Sequence, residues 1–136
     1  MVSDISDFAK FMIKLVEEPV IIEDGSWSTV DQIFEDYQVP EGEQPFCKIL
    51  LGYYLYECYS GESFVLYFDS RDNQLYEVNG SHCSCYGLED QWKPEVVDLD
   101  NLIHRLDNGS FGLDYDEKNK YAKELREVIT KIQSMV

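Results

Sequence analysis

Hydrophobic residues near the start of the chain recur at intervals of three and four, which is the spacing of one face of an α-helix. Residues 4–18 form a single apolar stripe of this kind, and Ser3 is a suitable N-cap, so the pattern predicts an amphipathic helix that ends before Pro19. A short extended piece is expected at residues 20–22. A second helix is predicted to follow Ser28 as its N-cap. Its expected buried face consists of Val30, Ile33, Phe34 and Tyr37.

Between residues 46 and 78 the spacing changes to that of β-strands, with many aromatic and aliphatic residues. Strand-like runs at residues 47–59, 62–69 and 74–78 are separated by polar turn signals. Phe64, Leu66 and Phe68 should share one face of the second strand. Gly52 is expected to mark a bulge or a break in the first strand. The three runs therefore predict an antiparallel β-meander.

Two further helices are predicted after the meander. Asp98 is a suitable N-cap for a helix over residues 99–106, and Gly109 follows as a C-terminal signal. The last helix is predicted from about residue 117 to residue 135, with one apolar stripe. The resulting fold class is α+β: a three-stranded antiparallel β-meander flanked by two N-terminal and two C-terminal helices. At 136 residues, the chain 1–136 is predicted to be a single acidic domain.

The charge of the chain is strongly acidic and unevenly distributed. Eleven basic residues against 27 acidic ones give a net charge of −16, and the basic residues are concentrated in the last predicted helix. Such a field repels nucleic acid, so direct nucleic acid binding is not expected, and it attracts basic protein surfaces. The alternative is that the charge serves solubility alone.

The chain has no segment that the sequence predicts to be a signal or a membrane span. The longest apolar stretch, residues 49–56, is interrupted by Gly52 and is too short to cross a bilayer. A cytoplasmic protein with no membrane association is therefore expected. In that compartment the four cysteines should be reduced thiols or metal ligands rather than disulfides.

Two cysteines and a histidine lie within four consecutive positions, at His82, Cys83 and Cys85. Thiolate and imidazole are preferred zinc ligands, so this cluster is the main candidate for a metal site. All three can bind one ion only if the chain turns between them, which Gly80 would permit. The predicted fourth ligand is Cys58 on the first strand. Other candidates for that position are Cys47, His104, Glu77 and Asp69.

Alternatives to a zinc site remain open at this point. The spacing differs from the paired Cys-x-x-Cys knuckles of zinc ribbons, and free cysteines are often small core residues. A cysteine nucleophile with a histidine base is a third possibility. The tyrosines on the strands are expected to pack in the sheet or, where exposed, to suit a protein interface.

Residues 75–95, LYEVNGSHCSCYGLEDQWKPE, together with Phe64-Val-Leu-Tyr-Phe68, resemble a family of small proteins found in phages, prophages and bacteria, most of them without an assigned function. The resemblance covers residues 61–95, and Asp90 stands where members usually have glycine. A small acidic protein of this kind also resembles the type II-A anti-CRISPR proteins, some of which are metalloproteins that bind Cas9.

This second resemblance implies a phage-type protein of the host bacterial cytoplasm that inhibits Cas9 without being an enzyme. It implies a structural zinc held by His82, Cys83 and Cys85, and an acidic surface that contacts the basic nucleic-acid-binding face of the effector. The alternatives are a small zinc-dependent enzyme and a metal-free acidic binding domain. The candidate contact residues are Glu17, Glu18, Glu35, Asp36, Asp114 and Asp116.

Overall fold

The computed structural model describes residues 19–22, 27–57, 59–83, 87–113, 116 and 118–133. Within this part of the chain there are three α-helices and five strands. The predicted helix over residues 4–18 lies outside the described residues. The elements, in chain order, are β1 (Val20–Ile21), α1 (Val30–Tyr37), β2 (Cys47–Glu57), β3 (Ser60–Asp69), β4 (Gln74–Cys83), β5 (Glu95–Val97), α2 (Leu99–Asn108) and α3 (Ala122–Gln133).

The strands form one mixed sheet in the order β1-β2-β3-β4-β5. Its centre, β2-β3-β4, is the predicted antiparallel meander. The sheet has five strands, however, and not the three that were predicted. β1 adds a parallel edge beside Leu51 and Gly52, and β5 adds an antiparallel edge beside β4. The fold class α+β is confirmed, with a larger sheet than the hydrophobic pattern predicted.

Two glycines have other roles than those predicted for them. The irregularity in β2 lies between Ile49 and Leu51 rather than at Gly52, where a Cβ would lie 2.7 Å from the Ile33 side chain of α1. Gly80 lies within β4, which continues to Cys83 instead of ending at residue 78. A Cβ on Gly80 would lie 2.6 Å from Tyr37 Oη and 2.8 Å from Leu88 Cδ2. Both glycines therefore permit close packing against the sheet.

Helix α1 begins one residue later than predicted. Thr29, not Ser28, is the N-cap: its side chain accepts a hydrogen bond from the Gln32 amide, and the Gln32 side chain accepts one from the Thr29 amide. This reciprocal capping box satisfies two amides of the first turn, which a Ser28 cap one residue earlier would not. The predicted inner face is confirmed for Ile33, Phe34 and Tyr37, which are buried.

The C-terminal helices also differ from their predicted bounds. Asp98 caps α2 as predicted, by accepting a hydrogen bond from the Asn101 amide. Helix α3 begins at Ala122 rather than near residue 117. The amides of Lys120, Tyr121 and Ala122 all approach the Gly112 carbonyl at 2.9–3.1 Å, so the chain forms a turn there before the helix begins.

The sheet has an apolar core on each face. Helices α2 and α3 cover one face, where Phe64, Leu66 and Phe68 are buried, as predicted. Helix α1 covers part of the other face, where Trp27, Tyr37 and Tyr54 pack together. None of the helices among the described residues combines the length and the apolar character needed to cross a bilayer.

Candidate functional site

His82 lies at the end of β4 and contacts two tyrosines of β2 across an intervening glycine. The strand register places Tyr56 opposite Gly61 and Gly61 opposite His82. A Cβ on Gly61 would lie only 2.2 Å from His82 Nε2, so the imidazole occupies the space that this glycine leaves. The ring centroids of His82 and Tyr56 are 5.1 Å apart, and Tyr54 Oη lies 2.6 Å from His82 Nε2.

Both nitrogens of the His82 ring have hydrogen-bond partners in this structure. Nδ1 lies 2.8 Å from the Cys83 carbonyl oxygen, which can only accept, so Nδ1 carries a hydrogen. In the neutral ring Nε2 then accepts from the Tyr54 hydroxyl. Burial and the nearby Asp36 carboxylate raise the pKa of Tyr54, which keeps that hydroxyl protonated. A metal ion bound to Nε2 would have to displace Tyr54.

Cys83 lies on the opposite face of β4 from His82, because side chains alternate along a strand, and it is exposed. Cys85 and Cys58 lie outside the described residues. The residue opposite Cys83 in β3 is Ser60, which comes two positions after Cys58 in the chain. Within the described ranges, no three His, Cys, Asp or Glu side chains come together as a metal site. The ligand set His82, Cys83, Cys85 and Cys58 stays a prediction.

The other candidates for a fourth ligand are engaged elsewhere. Cys47 is buried at the far end of β2, and burial raises its pKa to about 11, so its thiol stays protonated. Glu77 forms an ion pair with Arg105, and Asp69 forms one with Arg71. The His104 ring lies 3.2 Å from the Asn108 side chain on the exposed face of α2.

Much of the segment after β4 is accounted for by packing. Leu88 is buried against Gly80, and the Gln91 side chain connects the Ser81 amide with the Gly87 carbonyl. Trp92 packs against Tyr37 and Tyr67. These contacts hold residues 87–92 against the sheet beside β4.

Two of the predicted partner-binding carboxylates, Glu35 and Asp36, lie exposed in the last turn of α1. That turn contains no basic residue, and Asp36 accepts a hydrogen bond of 2.8 Å from the Trp27 indole. Asp116 is also exposed, although it is not without an interaction partner. Glu17, Glu18 and Asp114 lie outside the described residues. Of the six predicted contact residues, the structure thus describes Glu35, Asp36 and Asp116, and all three are exposed.

A groove that the sequence did not predict lies beyond the C-terminal end of α1, and we call it the aromatic groove. It has a volume of about 580 Å³. Tyr67 stacks on both Tyr76 and Trp92, with ring centroids 5.4 Å apart in each pair. The other lining residues are Tyr37, Gln38, Pro40, Glu43, Asp69, Arg71, Asp90, Lys93 and Pro94. The pairing of Tyr67 with Tyr76 across the β3–β4 hairpin was the available signal.

An ion-pair network holds one wall of the aromatic groove. Arg71 pairs with Asp69 at 2.7 Å and with Glu43 at 2.6 Å, and its guanidinium carbon lies 4.9 Å from the Phe46 ring centroid. Hydrogen bonds from Arg71 hold the pKa of Asp69 below its usual range. This network ties the β3–β4 turn to the segment after α1.

Comparisons of the chain with protein-family models, curated proteins and solved structures gave no match.

Proposed function

We propose that this protein is a non-enzymatic inhibitor that binds the nucleic-acid-binding face of a basic effector protein. The observation that carries the proposal is the pair of exposed carboxylates, Glu35 and Asp36, in the last turn of α1. A helix C-terminus carries a partial negative charge, so carboxylates there are destabilising. Asp36 is used within the fold, since it accepts a hydrogen bond from the Trp27 indole, but Glu35 has no ion-pair partner among the described residues, which is consistent with use in binding.

Cas9 is the first candidate partner, because a small acidic protein of this kind resembles the type II-A anti-CRISPR proteins. The carboxylates of α1 would pair with lysine and arginine side chains that otherwise contact phosphates. The net charge of −16 would attract such a surface from a distance and speed up association. Binding would then exclude nucleic acid from the same surface.

The test is a competition experiment with purified guide-loaded Cas9 and a fluorescent target DNA. The expected result is that the protein displaces the DNA, and that the double variant Glu35→Gln/Asp36→Asn does so at least about tenfold less effectively. Asp107→Asn is the control, because Asp107 is paired with Arg126 between α2 and α3. If the parent protein leaves DNA binding to Cas9 unchanged, Cas9 is excluded as the partner. If the double variant displaces DNA as effectively as the parent protein does, α1 is excluded as the contact.

We also propose a structural zinc ion, with Cys58, Cys83, Cys85 and His82 as ligands. What supports this is the β3–β4 register, because Cys83 pairs with Ser60, only two positions after Cys58. His82 would join only if its ring gave up a present hydrogen bond and the end of β4 turned, because His82 and Cys83 lie on opposite faces of that strand. Such an ion would stabilise the end of the sheet, since metal binding energy then contributes to folding.

Elemental analysis of protein purified without a metal-affinity step tests the zinc proposal. The expected result is one zinc per chain, lost in Cys85→Ser together with thermal stability. Absence of zinc in the parent protein would reject it. A zinc ion with three protein ligands and an open position would instead favour the alternative of a zinc-dependent enzyme.

A further inference from the structure

The aromatic groove is lined by aromatic rings and carboxylates, the same kinds of group that bind two of the chain's own arginines. Arg71 is held by two carboxylates, Asp69 and Glu43, and by the Phe46 ring. Arg105 is held by the Glu77 carboxylate, and its guanidinium carbon lies 4.3 Å from the Phe111 ring centroid. In both places a guanidinium lies against an aromatic ring and pairs with carboxylate, which combines cation–π attraction with directed hydrogen bonds.

The same two kinds of group face the open part of the aromatic groove. Tyr76 and Trp92 are only partly buried, so each ring keeps an accessible portion at the groove. Asp90 lies on the wall beside Trp92 and has no ion-pair partner among the residues that the structure describes. Its φ of 65° is in the left-handed region, which aspartate tolerates better than most residues.

Contacts within the protein position two parts of the groove. The stack of Tyr76, Tyr67 and Trp92 fixes its floor, and the Arg71 network fixes the wall formed by Glu43. A preorganised site loses less conformational entropy on binding than a flexible one. Its charged lining carries three carboxylates and two cations, for a net charge of −1, within a chain of net charge −16.

We propose that the aromatic groove receives an arginine side chain of the basic partner protein, with the guanidinium on the Trp92 ring and paired with Asp90. The inference rests on the proposed function for the source of that arginine. Arginine fits better than lysine, because its planar guanidinium stacks on aromatic rings and is more weakly hydrated than an ammonium group. Lys93, on the same wall, should weaken the binding of any cation.

The test uses the full chain and short capped peptides, so it does not depend on Cas9. The probes are acetyl-Gly-Arg-Gly-amide and its lysine and citrulline counterparts, since citrulline keeps the shape of arginine without the charge. Binding is followed by NMR through the indole N–H signals of Trp92 and Trp27. Trp27 is the internal reference, because it is only 3 % exposed and does not line the groove.

The arginine peptide should shift the Trp92 signal in a saturable way, leave Trp27 unchanged, and bind several-fold more tightly than either counterpart. Asp90→Asn should weaken binding about threefold and still fold, because asparagine also tolerates a positive φ. Lys93→Gln should strengthen binding.

Equal binding of the citrulline peptide would overturn the proposal, and so would stronger binding of the arginine peptide to Asp90→Asn. Asp107→Asn is the matched control, with the same change of charge at a site outside the groove. If Cas9 fails to bind while the arginine peptide binds at Trp92, the proposed partner is wrong and the arginine site stands. If Cas9 binds and the peptide does not, the groove proposal is wrong and the role of α1 stands.

Discussion

Asp69 is a carboxylate with only 3 % of its surface exposed, and it is paired with Arg71 two residues later. Its Oδ1 accepts hydrogen bonds from the Arg71 amide and Nε, and its Oδ2 accepts from the other end of the guanidinium. These bonds compensate for the loss of hydration and lower the pKa of Asp69. The ordered turn that results also presents Arg71 to Glu43.

Asp69 should make the protein less stable in acid. Its pKa is lower in the folded state than the ordinary value of 3.8, so the unfolded chain binds the proton first. The stabilising contribution is complete above pH about 5 and is lost as pH falls through 3.8 to the folded-state pKa. Asp69→Asn should lower the free energy of unfolding at pH 7 by about 2 kcal/mol. The free energy of unfolding of this variant, measured with urea, should also fall less steeply than that of the parent protein as the pH is lowered. An equally steep fall would contradict this role of Asp69.

The sequence pointed to His82 but not to its partners. Cysteine and histidine density identifies a chemically unusual segment, whereas the contacts of His82 with Tyr54 and Tyr56 depend on the exact register of three strands. The predicted turn at residues 60 and 61 placed Gly61 outside the sheet. In the structure Gly61 belongs to β3, and its missing side chain is what lets the imidazole reach β2.

At the scale of the elements, the hydrophobic pattern predicted the long segments and the extended piece at residues 20–22, which contains β1, but it did not predict β5 or how the short edge strands pair. Helix α2 and the β2-β3-β4 meander were predicted because each repeats its period several times. β1 and β5 have two and three residues, so their pairing depends on neighbouring strands rather than on a period of their own. The extension of β4 to Cys83 was missed because Asn79, Gly80 and Ser81 have low strand propensity.

Gly80 tests whether that extension of β4 is held by close packing with α1. Gly80→Ala would place a Cβ at 2.6 Å from Tyr37 Oη and 3.1 Å from Ser63 Oγ, both buried. We expect a loss of about 2 kcal/mol of stability by urea unfolding, because neither neighbour can move into solvent. Gly42→Ala is the control, since a Cβ there has no atom within 4 Å. Equal stability of the two variants would rule out tight packing at Gly80.

Helix α1 should be more stable without the Glu35 carboxylate. Asp31 lies in the first turn, where the helix dipole favours a negative charge, and Glu35 lies in the last turn, where it does not. Either substitution removes the repulsion between these two residues. The difference in stability between the two variants therefore reports the effect of the helix dipole. Glu35→Gln should exceed Asp31→Asn in stability by about 1 kcal/mol in thermal or urea unfolding. The reverse order would remove the argument that Glu35 is kept for binding.

At the scale of the whole molecule, the buried carboxylates Asp69 and Glu77 are each paired with an arginine. The apolar residues fill both faces of the sheet, while the carboxylates of α1 remain at the surface. Composition predicted this acidic character, because net charge depends on no structural detail. It could not predict the aromatic groove, whose residues come from three separate stretches of the chain, 37–43, 67–76 and 90–94, that meet only in the folded protein.

The salt dependence of association with purified Cas9 tests most directly the claim that an acidic surface binds a basic one. Surface plasmon resonance between about 50 and 500 mM NaCl would give the association rate constant. We predict that this constant falls at least about tenfold over that range, and that Glu35→Gln/Asp36→Asn reduces both the constant and its dependence on salt. An association rate constant that is the same at low and high salt would contradict the account.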